Sequence, residues 1–212
     1  MNFVLGAERT RLLRRGVQLE YLTMGWNSLE AVIAIGAGVL AGSIALVGFG
    51  LDSIIEVISG AILFWRLRAE LKVPDGDTSE LWERRALLFV GVSFFLLAAY
   101  VVYESSKKLW LREVPAESVP GLILAALSLI VMPLLALSKH RTARLLGSRA
   151  LAADAMETAI CSYLSLALLL GLAVNAWLGW WWADPVAALA MVPLIVHEGR
   201  EAIEESREAP SS

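Results

Sequence analysis

The chain has 212 residues, of which 58% are apolar and 18% charged, with a mean hydropathy of +0.65 and a net charge of −3. That balance does not suit a water-facing surface, and it disfavours a soluble enzyme, a disordered protein and a nucleic-acid binder, which would need a basic surplus. One cysteine, Cys161, excludes an internal disulfide scaffold.

A bilayer core of about 30 Å asks for roughly 20 mostly apolar residues per helix. Runs of that kind predict an all-α polytopic membrane protein with six transmembrane helices, near 20–42, 44–67, 84–106, 118–139, 149–173 and 184–204. The segment before the first span is polar and basic rather than a cleavable signal peptide, so that span is expected in the mature protein. The first two spans hold Gly36, Gly38, Gly42, Gly48, Gly50 and Gly60, small residues that let helices pack closely. Between the fifth and sixth spans, Trp177, Trp180, Trp181 and Trp182 suit an anchoring belt at the headgroups. The chain stops shortly after the sixth span, in a Glu-rich tail. The expectation is therefore a single six-helix transport domain over 1–212 with no soluble domain.

The distribution of Lys and Arg sets an expected orientation. One side collects Arg9, Arg11, Arg14, Arg15, Arg66, Arg68, Lys72, Arg84, Arg85, Lys139, Arg141, Arg144, Arg149, Arg200 and Arg207; the other has Lys107, Lys108 and Arg112. Both termini are thus expected in the cytoplasm, with the protein in a plasma (inner) membrane.

An ionisable side chain in hydrocarbon costs on the order of 3 kcal/mol by insertion scales, so each one asks for a partner or a function. In the second span, LVGFGLDSIIEVISG places Asp52 and Glu56 four residues apart, on one helical face and near the bilayer midplane. The fifth span, ALAADAMETAICSYLSLALLLG, places Glu157 and Cys161 at the same spacing on a helix that enters from the opposite side. The two pairs reach similar depths, so four ligands can converge. Three carboxylates and a thiol with no buried cation beside them would repel one another, and a divalent metal removes that conflict. Glu30, with Asn27 a turn earlier, is a further midplane carboxylate, with a hydrogen-bonded structural role and a proton-relay or second-sphere role both open. Asp154 lies near the end of its helix and is expected to be solvated, with a possible part in proton relay. His140 and His197 are expected at the surface.

These residues carry a resemblance. SIALVGFGLDSIIE over 43–56 is similar to the second-helix motif of the cation diffusion facilitator (cation efflux) family of divalent-metal transporters. SRALAADAMETAIC over 148–161 is similar to that family's fifth-helix motif, and DPVAALAMVPLIVHEGREAI over 184–203 looks like its sixth helix. The likeness covers the transmembrane domain only. It does not extend to the C-terminal cytoplasmic domain that many members carry, or to a His-rich loop between the fourth and fifth helices. Carried over by position, the family's transport site falls on Asp52, Glu56, Glu157 and Cys161. Glu56, Glu157 and Cys161 stand where Asp, His or Asp, and Asp respectively are usual, so metal preference does not transfer with the motif.

The resemblance implies export of a divalent cation from the cytoplasm in exchange for protons, by alternating access and in a homodimer. No prosthetic group and no enzymatic activity are implied. Mixed oxygen and sulfur ligands suit tetrahedral zinc best, with iron, manganese, cobalt and cadmium also open. The competing readings are a metal-permeable channel or uptake carrier without obligatory proton exchange, and a nontransporting membrane scaffold that uses its carboxylates as buried structure.

Overall fold

The structure, a computed structural model, describes residues 2–72, 80–114 and 116–208. It contains six helices: α1 (Asn2–Ala41), α2 (Ile44–Lys72), α3 (Glu80–Leu111), α4 (Val119–Leu146), α5 (Arg149–Leu178) and α6 (Ala183–Glu208). Each sequence-predicted span lies almost wholly within one of them. All run longer than expected, α2, α5 and α6 by the least, because the flanking Arg, Glu, Leu and Lys residues are themselves good helix formers. Arg9 to Arg15 therefore belong to α1 rather than to a loop, and Lys107 and Lys108 belong to α3. The side chains of Lys72, Arg84, Arg85 and Arg149, which entered the orientation argument, lie outside the described residues.

Among the described residues, five helices are long and apolar enough to cross a membrane; α4, at a mean hydropathy of 2.4, is the most apolar and α1, at 1.3, the least. The sixth, α6, falls short because its second half carries His197, Glu198, Arg200, Glu201, Glu204 and Arg207. It nonetheless runs alongside α3, where Gly91 and Gly199 bring the backbones together. A Cβ on Gly91 would sit 2.6 Å from Ile203 Cγ1 and 2.9 Å from the Gly199 carbonyl oxygen. In lipid, where apolar tails solvate Leu as well as another helix does, such close approach supplies much of the packing energy. Gly50 does the same between α1 and α2, its Cβ position falling 2.7 Å from Ile35 Cγ1, whereas Gly36 faces open space.

Two hairpins share one connection. α1 passes to α2 through Gly42 and Ser43, and α4 passes to α5 through Gly147 and Ser148. Both glycines adopt a left-handed conformation, φ 64° and 69°, that ends the preceding helix. Both serines then accept a backbone N–H of the next helix, from Leu46 at 3.1 Å and Leu151 at 3.3 Å. The two links lie at opposite ends of the bundle, so the hairpins are inverted with respect to each other. At the Ser43 end, Asp184 of α6 reaches across to the start of α2, where it accepts the Ile44 N–H at 2.9 Å and the Ser43 hydroxyl proton. Lys108 of α3 donates to the Gly42 carbonyl beside it. The Asp-Pro opening of α6 is thus a cap for a neighbouring helix. Trp177, Trp180 and Trp182 are exposed near this end and Trp181 is half-buried, with Trp180 and Trp182 stacked at 5.0 Å.

Candidate metal centre

Four helices, α1, α2, α4 and α5, turn polar residues toward one another. Along α1, Glu20, Thr23, Asn27 and Glu30 recur at helical spacing and are all buried. Facing them are buried Asp52, Ser53 and Glu56 of α2, Ser128, Lys139 and Thr142 of α4, and Asp154, Thr158, Cys161 and Ser165 of α5.

Three of the four sequence-predicted ligands meet directly. The Cys161 thiol lies 2.9 Å from Glu56 Oε2 and 3.3 Å from Asp52 Oδ2, so its single proton can be donated to either carboxylate. The antiparallel register of α2 and α5 creates this contact, as the matched depths of the two pairs predicted. The fourth, Glu157, is partly buried and stands one turn away, where its Oε2 accepts the Ser59 hydroxyl at 3.0 Å. Among the described residues, no three His, Cys, Asp or Glu side chains form a ready-made cation cage. Closing four ligands on one ion requires Glu157 to leave Ser59 and the thiol to give up its proton.

Both oxygens of Glu30 accept hydrogen bonds. Trp26 donates to its Oε1 at 2.6 Å, Ser53 of α2 donates to its Oε2 at 3.2 Å, and Ser128 of α4 donates to Oε1. It fastens three helices just beyond the Asp52 level.

Two expectations need correction. Asp154 is not solvated: it is buried, and its Oδ2 lies 2.5 Å from the Lys139 ammonium. Nor is the interior free of cations. Lys139, placed by sequence at a helix end among the cytoplasmic basic residues, is 0% exposed inside α4, which continues to Leu146. Its Nζ also meets Glu20 Oε2 at 3.2 Å and Thr158 Oγ1 at 3.3 Å. One ammonium thus ties α1, α4 and α5 together and offsets two carboxylates. The absence of a buried cation therefore fails as a premise, since Lys139 also lies close enough to Glu56 to attract its carboxylate. Among the described residues, Asp52, Glu56 and Glu157 take part in no ion pair.

Glu20 and Lys139 were missed in the sequence. The available signal was the spacing of Glu20, Thr23, Asn27 and Glu30, which puts four polar residues on one face of an otherwise apolar helix. The histidines are exposed, with His197 3.3 Å from Glu201. A groove of about 790 Å³ opens elsewhere, between α3 and α6, lined by Ala98, Val102, Tyr103, Val192 and Val196; it contains none of the polar residues just described.

Residues 22–209 match the sequence profile of the cation efflux transmembrane domain. The chain belongs to the cation efflux family. It is 27% identical to transmembrane protein 163 of Xenopus laevis over 74% of this chain and 54% of that protein. It is also 24% identical to an uncharacterised transporter of Synechocystis sp., over 87% of this chain and 61% of that one. The matched segments thus span a little over half the length of these relatives.

Cys161 supplies a prediction of its own, since a thiolate is softer than a carboxylate. In Cys161→Asp, zinc and cadmium should lose ground to manganese and ferrous iron by about tenfold in competition binding, with the protein still folded. An unchanged competition profile would mean that Cys161 only packs between the helices.

Proposed function

We propose that the chain is a transport domain that exports divalent transition-metal ions, zinc foremost, from the cytoplasm in exchange for protons. The observation that carries this reading is the Cys161 thiol lying between the Asp52 and Glu56 carboxylates where α2 and α5 cross. The same groups bind a proton or a metal ion, and metal binding at such ligands releases protons. A proton gradient can therefore drive the ion off the site. Family membership supports transport over catalysis, and the ion is cargo rather than a prosthetic group.

In this reading Asp52, Glu56, Glu157 and Cys161 hold the ion, and Glu157 shuttles between Ser59 and the ion. Glu30 and Asp154 belong to the surrounding polar frame. The two inverted hairpins, α1–α2 and α4–α5, form the halves whose relative tilt exposes the site to one side and then the other. The Lys139 cluster closes the cytoplasmic end and the Ser43–Asp184 cap closes the outer end. Both termini face the cytoplasm of a plasma membrane, as the basic residues of α1 favour, and the working unit is a homodimer.

The experiment is zinc flux into proteoliposomes with internal pH recorded. Zinc entry should be accompanied by proton exit, and acidifying the loading side should weaken apparent zinc affinity, because proton and metal compete for the same groups. Zinc flux without proton movement after leak correction would favour a channel or uptake carrier. No zinc binding at all would favour a scaffold.

A further inference from the structure

Asn27 is fully buried in α1, and neither its Oδ1 nor its Nδ2 has a hydrogen-bond partner among the described residues. An amide left unpaired in a low-dielectric interior loses its hydration without recompense, so such groups ask for a missing partner. On α2, Glu56 has a buried atom in the same condition, Oε1.

The register between α1 and α2 puts the two at one level. Glu30 meets Ser53 at 3.2 Å, and further along the hairpin Gly60 lies against Glu20 and Met24. Asn27 falls between these contacts on α1, as Glu56 does between Ser53 and Gly60 on α2. Its own face of α1, shared with Glu20, Thr23 and Glu30, is the face turned into the polar interior. Protein groups already occupy both oxygens of Glu30 above, and Lys139 holds Glu20 below. Glu20 Oε1 is unpaired as well, about two turns below. Among the described residues, however, three of the four unpaired buried side-chain atoms on these two helices, Asn27 Oδ1 and Nδ2 and Glu56 Oε1, belong to the Asn27 and Glu56 level, where Glu56 meets Cys161.

We propose that Asn27 is a further residue of the metal site, supplying a neutral amide oxygen to the ion held by Asp52, Glu56 and Cys161. This rests on the metal-site reading above and adds a ligand from a third helix, so that α1 would report ion occupancy to α2 and α5. A neutral oxygen adds coordination without adding negative charge, which lets the ion leave once protons arrive. It also makes the site less selective for soft ions than its thiol alone would be.

The test uses the purified full chain in detergent, titrated with cadmium alone and with manganese alone, beside thermal unfolding of the metal-free protein. Asn27→Leu keeps the shape and removes both unpaired atoms. It should leave the metal-free Tm unchanged or raised, while weakening cadmium affinity by about tenfold or more. Asn27→Asp should raise manganese affinity relative to cadmium. A lower Tm for Asn27→Leu at wild-type cadmium affinity would overturn the proposal, leaving Asn27 a structural residue. So would an unchanged manganese-to-cadmium ratio in Asn27→Asp. Asp52→Ala serves as the reference: if it loses cadmium binding while Asn27→Leu keeps it, only the Asn27 inference fails. If Asp52→Ala binds cadmium like wild type, the metal-site reading itself fails.

Discussion

Replacing Lys139 by methionine should cost the fold about 3–5 kcal/mol, the range seen when one partner of a buried ion pair is removed and the other charge is left uncompensated. Two carboxylates are stranded here, Glu20 and Asp154, both against a side chain with no exposure. Removing the whole cluster should be far milder. Lys139→Met combined with Glu20→Leu and Asp154→Leu strands no charge, and apolar replacements of similar volume often equal or exceed a buried ion pair in stability. Thermal unfolding in detergent reads both. A single variant that unfolds within about 1 kcal/mol of wild type would show that water or lipid headgroups reach the cluster and that it is not the closed end described above. A triple variant as unstable as the single one would mean that these residues matter through packing rather than charge.

Loss of Asp52 should have the largest effect on binding. Asp52→Ala removes a carboxylate that has no ion-pair partner and lies 3.3 Å from the Cys161 thiol, so affinity for zinc should fall by at least about a hundredfold. That exceeds the roughly 10–100-fold cost of losing a group that only orients a ligand. Glu157→Ala should match it, even though Glu157 rests on Ser59 at 3.0 Å in this conformation. Calorimetric titration of purified protein decides the point. If Asp52→Ala fails and Glu157→Ala binds normally, the ion is held without Glu157. If both bind normally, the site lies elsewhere.

The contact between α2 and α5 was legible in the sequence because it depends on two simple quantities. Four-residue spacing fixes the face, and distance from the helix end fixes the depth, so Asp52, Glu56 and Cys161 could be brought together from an apolar background. The burial of Lys139 was not legible by that means. A lysine in LLALSKH reads as the end of a span, and only the continuation of α4 to Leu146 moves it inside. Its partners come from elsewhere: Glu20 is 119 residues away in the chain and Asp154 is 15 away on the next helix. Depth along one helix also says nothing about side-chain direction, which is why Glu157 was expected beside Cys161's partners and is found on Ser59. Asp184 illustrates the same limit. Asp-Pro marks the start of α6 by local chemistry, but that its carboxylate caps α2 depends on a contact 140 residues away.

The polar stripe of α1 also bears on how the chain enters the bilayer. With Glu20, Asn27 and Glu30 along one face and the lowest mean hydropathy of the five membrane-length helices, 1.3, α1 is a poor substrate for partitioning into lipid by itself. Among the described residues of α1 only Trp26 serves Glu30; the other partners of Glu30 and Glu20 come from α2, through Ser53, and from α4, through Ser128 and Lys139. The two-residue connection of Gly42 and Ser43 keeps α2 within immediate reach. Insertion is therefore expected to proceed by hairpins rather than by single helices, α1 entering the bilayer with α2 and being fully held only once α4 supplies its remaining partners.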